Sequence, residues 1–227
     1  MALGLCALGC DGTTSISFVT STQRFELSTM SVGLPTELRD DTSTPATVRS
    51  VDCAATGVCP PTEGSVGVAL ACEGGVCDPA PKTVDAPVGD VVDFEAMSMD
   101  LRDILSTIDS IEITSAEYQI ELNTLTIDLM EIEVYWGPEG ATAIDPASGV
   151  FMLGVMPPTA AGATGTGEMA LDADGNAALS DYLVGTSRRV RFFARTRIDL
   201  APGGPFPEGS ITAGCVLSVR AVGRIAK

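Results

Sequence analysis

The most regular feature of the chain is a two-residue alternation of apolar and polar positions through its second half. In SIEITSAEYQIEL, which begins at Ser110, Tyr118, Ile120 and Leu122 share one face and Glu117, Gln119 and Glu121 the other, the signature of a half-buried strand. Asn123-Thr124 turns the chain into LTIDLMEIEVYWG, a second strand region. Further strands are predicted at 150–155 and 167–172, flanking the loop MPPTAAGATGTG, with Asp172-Ala173-Asp174-Gly175-Asn176 as a tight turn. RRVRFFARTRIDL and SITAGCVLSVRAVGRI form two long strands around the loop APGGPFPEG.

The first half is less regular. Alternation begins at Ile16 and Phe18, and RFELSTMSV pairs with that strand or continues it. Residues 34–50, with Pro35, Pro45 and Asp40-Asp41, read as a surface loop. A strand is predicted at 65–71, and PAPKTVDAPVGD (79–90) reads as an extended connector. One segment has helical spacing: in VDFEAMSMDLRDILSTI, residues Phe94, Met97, Leu101, Ile104, Leu105 and Ile108 recur at three- and four-residue steps. Together these elements predict a mainly β protein, an antiparallel β-sandwich of jelly-roll-like type with at most one short helix. The expected divisions are a leader remnant at 1–9, a tether and cysteine-rich region at 10–90, and a sandwich domain at 91–227.

Composition sharpens this picture. Of 227 residues, 45% are hydrophobic, so a real core is expected, and 24 glycines and 14 prolines, with many Thr, Ser, Val and Ala, favour strands and turns over helices. The formal net charge is −17, which argues against binding to nucleic acid or to anionic lipid headgroups. The chain has no histidine, so Ser-His-Asp and Cys-His catalysis and His-ligated metals are excluded.

Cysteine placement carries most of the functional information. The run ALGLCALG (2–9) is too short to span a bilayer, which takes about 20 apolar residues. It ends in Ala7-Leu8-Gly9-Cys10, followed by the small and polar Asp11-Gly12-Thr13-Thr14-Ser15. This pattern resembles the lipobox of bacterial lipoproteins, with small Gly9 before the cysteine and Ala7 where leucine is usual. The resemblance covers about twelve residues. It implies that Cys10 becomes a lipid-modified N-terminus, that the protein is exported, and that it is anchored in the bacterial cell envelope, facing the periplasm or the cell surface. Residues 1–9 carry no Lys or Arg, so the basic segment that opens such a leader is expected upstream of Met1.

Cys53, Cys59, Cys72 and Cys77 lie in a Gly- and Pro-rich stretch at C-x5-C and C-x4-C spacing, a poor match to zinc knuckles and a better one to two disulfides in an exported protein. All three connectivities stay open. Cys215, inside the last strand, is expected to be a small buried core residue.

Other candidates have a functional and a structural interpretation each. Asp172, Asp174 and Asn176, with Asp181 beyond them, have the oxygen spacing of a calcium loop but lack its first acidic ligand; the simpler interpretation is a hairpin turn. Calcium is the one cofactor the pattern admits. Arg189, Arg191, Arg195 and Arg197 alternate along one strand around Phe193, either as an anion or glycan contact or as a ladder of ion pairs with Glu131, Glu133, Glu117 or Glu121. Trp136 stacks on a sugar if exposed and plugs the core if not. Glu131 and Glu133 stand about 7 Å apart on one strand face, a carboxylate separation used by glycosidases and also common on plain acidic strands.

The function expected from these features is structural, adhesive or assembly-related: an exported, lipid-anchored protein without catalysis. Its partners would be the membrane, through the N-terminal lipid, and envelope proteins or glycans. A carbohydrate- or calcium-binding β-sandwich module is the alternative.

Overall fold

Two antiparallel sheets pack face to face, and both draw strands from the first and second halves of the chain. The computed structural model describes residues 13–29, 36–53, 57, 59, 69–97 and 107–224. In the first sheet, β9 (Ile108–Asn123) pairs along nearly its whole length with β15 (Ser210–Arg224). On the other side of β15, β1 (Thr13–Val19) and β2 (Gln23–Ser28) lie end to end, β1 beside residues 218–224 and β2 beside 210–215. The second strand therefore continues the first. At the break between them, Thr20 holds the register: its backbone N–H donates to the Leu217 carbonyl, and its hydroxyl accepts from the Leu217 N–H. The short β12 (Gly165–Glu168) flanks β9 on its far side.

The second sheet has the order β13 (Ala170–Leu171), β11 (Phe151–Met156), β10 (Ile132–Pro138), β14 (Arg189–Ile198), β8 (Lys82–Asp93). The chain passes between the sheets at buried Met169, whose N–H donates to the Ala116 carbonyl, and this closes one side of the sandwich. On the opposite side β2 approaches β8. Gly89 sits there at φ +60°, a left-handed conformation that favours glycine, and a Cβ would also lie 2.6 Å from the Gln23 amide oxygen, which would have to move.

The core lies between the sheets. Ile211, Ala213, Leu217 and Val219 of β15 and Ile111 and Ile113 of β9 face Ile132, Val134 and Trp136 of β10 and Val190, Phe192 and Ile198 of β14. Three irregularities shape β9. An extra residue at Thr114 lets both Ile113 and Ala116 point inward. Another at Glu121 turns Asn123 inward and leaves Leu122 49% exposed, so the strict alternation predicted through Leu122 breaks at its last step. The third lies near Asp109. Asn123 then organises the loop that follows. Its Nδ2 donates to the carbonyls of Ala160 and Ala163, and its Oδ1 accepts from the Leu125 N–H. Residues 125–131 cover the core with Leu125, Ile127 and Leu129 before β10 begins.

Outside the two sheets, β3 (Arg39–Asp40) and β4 (Thr47–Val48) form a small ladder. The lobe of β5 (Val51–Asp52), β6 (Leu70–Glu73) and β7 (Val76–Pro79) carries two disulfides, Cys53–Cys72 and Cys59–Cys77, with Cα separations of 6.1 and 5.7 Å. Sequence left three pairings open, and the fold selects this one.

Several expectations are corrected. The boundary between residues 90 and 91 is not a structural division, because β1, β2 and β8 complete the two sheets. The connector expected at 79–90 is mostly β8, an edge strand, where Pro87 costs no ladder hydrogen bond. The helix expected at 92–108 is, among the described residues, a single turn α1 (Phe94–Met97), opened by the Asp93 carboxylate accepting from the Ala96 N–H; Ile108 already belongs to β9. Residues 98–106 lie outside the described residues, as do 65–68 of the strand expected at 65–71 and the whole of 1–12 with Cys6 and Cys10. The turn expected at 172–176 is instead the N-terminus of helix α2 (Ala173–Gly185), which packs against β9 and β11.

Candidate functional site

Asp172 and Asn176 of the supposed calcium loop are engaged in building and docking α2. Asp172 is the N-cap, its Oδ1 accepting from the Gly175 N–H at 2.7 Å. Asn176 spans the β9 backbone: its Nδ2 donates to the Ile113 carbonyl at 2.8 Å, and its Oδ1 accepts from the Ile113 N–H at 3.2 Å. Asp174 is exposed in the first turn. Gly175 has no room for a side chain, since a Cβ would lie 1.6 Å from the Met152 carbonyl oxygen. The residues recruited as ligands therefore dock a helix. A signal for it was present, because Ala178, Leu179, Tyr182 and Leu183 recur at helical spacing behind an Asp N-cap.

Trp136 is 1% exposed and offers no ring face to solvent. Its indole N–H donates to the Gly175 carbonyl at 2.9 Å, and its ring stacks on Phe151 with centroids 5.4 Å apart. Trp136 thus joins the helix N-terminus to the second sheet, and the sugar-stacking role has no surface to act through.

The arginine row is the most chemically distinctive surface. Strand alternation puts Val190, Phe192, Ala194, Thr196 and Ile198 inward, and Arg189, Arg191, Phe193, Arg195 and Arg197 outward. Arg195 binds Asp85 through two bonds, Nε to Oδ1 at 2.7 Å and Nη2 to Oδ2 at 2.8 Å. Its guanidinium also lies over the Tyr135 ring, 5.5 Å from the centroid. The Tyr135 hydroxyl donates to Glu133 Oε2 at 2.7 Å. Burial, then this bond to Glu133, pushes the phenol above its ordinary pKa; the Asp85 bonds hold the Arg195 guanidinium still more firmly in its charged form. Arg189 pairs with Glu139 at 2.5 Å, with Asp93 3.9 Å away, and Arg197 pairs with Asp199 at 2.9 Å.

An ion-pair arrangement was expected, but its acids are different. The bidentate partner comes from β8, which the sequence presents as a connector. Glu133 stands opposite Arg195 in register yet takes the tyrosine hydroxyl. Glu117 and Glu121 belong to the other sheet, where Glu121 pairs with Arg24 at 2.8 Å. Arg191 differs from the other three. Among the described residues it has no acidic partner, and its Nε is buried without a hydrogen bond.

Arg191 lines a cavity of about 520 Å³ between β8, β14 and the segment 139–144, which folds back over the sheet. Phe193, Pro87, Ala141 and Ile144 provide apolar wall, and Asp85 and Glu139 stand at its side. Beneath the segment, Ala141, Val150 and Phe193 form a small buried cluster with Tyr135 and Ile144 against it. Sequence reasoning found the arginines and missed the cavity, because a covering loop from 139–150 has no local signature.

The remaining candidates are cysteines. The sulfurs of Cys53, Cys72 and Cys77 lie within 4.8 Å of one another, a metal-like cluster whose members are consumed in disulfides. Cys215 is a free thiol and is buried, as expected, and burial raises its pKa from 9.0 to about 12. No protein-family model matches the chain, and no curated protein matches it either.

Proposed function

We propose that this chain is an exported, lipid-anchored protein of the bacterial cell envelope, with a structural or adhesive role. The observation that carries this is the pair of disulfides Cys53–Cys72 and Cys59–Cys77, which form and persist in oxidising compartments. The lipobox-like Ala7-Leu8-Gly9-Cys10 supports anchoring, since export and lipidation together account for five of the seven cysteines, the four in disulfides and Cys10. Thr13 begins the first strand only three residues after Cys10, so a lipid there would hold the sandwich within about 10 Å of the bilayer surface. A body tied this closely suits a surface that is presented or assembled at the membrane. The absence of histidine from the sequence favours a role without catalysis.

The test is intact mass spectrometry of the protein expressed from its native upstream DNA in a bacterium, with and without reductant. A mature N-terminus at Cys10 carrying acyl mass, and a gain of about four hydrogens on reduction with no such gain before it, is the expected result. An unprocessed chain with all thiols free overturns the proposal. Oxidised disulfides on an unlipidated chain overturn the anchor and leave export.

A further inference from the structure

We infer that the cavity over Arg191 binds a small monocarboxylate with a compact apolar body. The pairing pattern of the arginine row points there. Arg189, Arg195 and Arg197 each have an acid within ion-pair distance, in a chain with 30 acidic residues against 13 basic ones. Arg191 alone in the row has no acid among the described residues. The two acids beside it in the cavity, Asp85 and Glu139, are held by Arg195 and Arg189. A partly buried guanidinium without a counter-charge, with a buried N–H left unsatisfied, is unfavourable, and a bound anion relieves it. Arg188 also has a buried, unpartnered Nε but does not line the cavity, so of the two only Arg191 also contributes to the cavity wall.

The space is built by the sequence around it. Gly137 stands opposite Arg191 in register on β10. A Cβ at Gly137 would meet Val150 Cγ2 at 2.8 Å and Ala141 Cβ at 3.3 Å. Glycine at this position therefore lets the segment after Pro138 seat down on the strand and wall the cavity. The volume, about 520 Å³, lies within the 300–1,000 Å³ range of small-molecule sites and leaves room for a small aromatic or branched carboxylate. Phe193, Pro87 and Ile144 offer apolar contact, while the planar guanidinium matches a carboxylate. Asp85 and Glu139 set the specificity: a second negative charge on the ligand would face both, so dianionic phosphates are disfavoured against a monoanion. This site is independent of the lipid anchor.

The inference is tested with the full-length protein by following arginine Nε–Hε signals in ¹⁵N NMR spectra during titration with phenylacetate, phenylacetamide and phenyl phosphate. Saturable movement of the Arg191 signal with phenylacetate is expected, with at least about tenfold weaker binding of the neutral amide and of the dianionic phosphate. Arg191→Gln should weaken phenylacetate binding by about tenfold or more. Ala143→Leu, which narrows the mouth without touching a charge or the core, should weaken it as well, and decides the matter if Arg191→Gln does not fold. No saturable response to phenylacetate, equal binding of the amide, or unchanged binding in a folded variant would overturn the inference.

Discussion

Along β15, Ile211, Ala213, Leu217 and Val219 are each at most 1% exposed, whereas in the lobe of β5, β6 and β7 the buried residues among those described are Cys77 and Pro79. The first region is held by apolar surface removed from water on both sides of a two-layer sandwich. The second has too little such surface, and two covalent bridges restrict its chain instead. Val51 and Leu70 give the lobe only partly buried contacts with the main core. The contrast explains why cysteines cluster in the one stretch whose hydrophobic pattern is weakest, and why the lone thiol of the sandwich, Cys215, is merely another small core residue.

The largest predicted effect is on the sandwich. Leu153→Ala removes a fully buried side chain of β11 at the irregularity opposite Val134, and should lower stability by about 2–5 kcal/mol, measured by chemical denaturation. Loss of secondary structure should be cooperative across both sheets. A change below 1 kcal/mol would mean that the core is not what holds this region.

Replacing Cys53 and Cys72 by Ser opens a bridge between residues 19 apart, a constraint of about 3 kcal/mol on the unfolded lobe. Hydrogen exchange should show faster exchange in β5, β6 and β7 and unchanged protection in β9 and β15. Equal loss in both regions would break the comparison, since it would make the lobe part of one cooperative unit with the sandwich.

A smaller effect is expected at α2. Asp172→Ala removes the N-cap and should cost about 1 kcal/mol of stability, read as a lower denaturation midpoint, with the loss concentrated in the helix. Adding millimolar calcium should leave the midpoint of the unaltered protein where it is, since Asp172 and Asn176 already serve the helix; a calcium-dependent rise would restore the metal interpretation.

The smallest effect concerns Cys215. Its thiol should resist alkylation at about pH 8 in the folded protein and react as soon as the chain unfolds. The folded pKa is raised to about 12 from 9.0, so the unfolded chain loses this proton first as pH rises. The contribution to stability is complete below about pH 9 and declines between there and about pH 12. Rapid labelling of the native protein at neutral pH would show that the β15 packing opens readily.

Much of the sandwich was legible from period-two alternation, because strands such as β14 and β15 have one face in the core and one outside. The exceptions mark places where nonlocal geometry wins. Alternation cannot announce the extra residues at Thr114 and Glu121, which reverse the facing of Ala116 and Leu122. Lys82–Asp93 reads as a connector because Pro87 and Gly89 speak against a central strand, and only its place at a sheet edge makes them acceptable. Asp172-Ala-Asp-Gly-Asn has turn chemistry that also serves a helix cap, and the choice is made by Trp136, Ile113 and Met152, which are distant in sequence.

By itself the sequence determined the fold class, the acidic character, the exclusion of histidine chemistry and a cysteine cluster whose spacing suits disulfides better than a zinc knuckle. These depend on local pattern and composition, which any conformation of the chain carries. Tertiary structure decided which cysteines join, which acid each arginine meets, and that Arg191 is left facing a cavity with none. The arginine pairing and the cavity depend on β8, β10, β14 and the 139–144 segment arriving at one place from positions up to about a hundred residues apart, and no short stretch of sequence encodes that meeting.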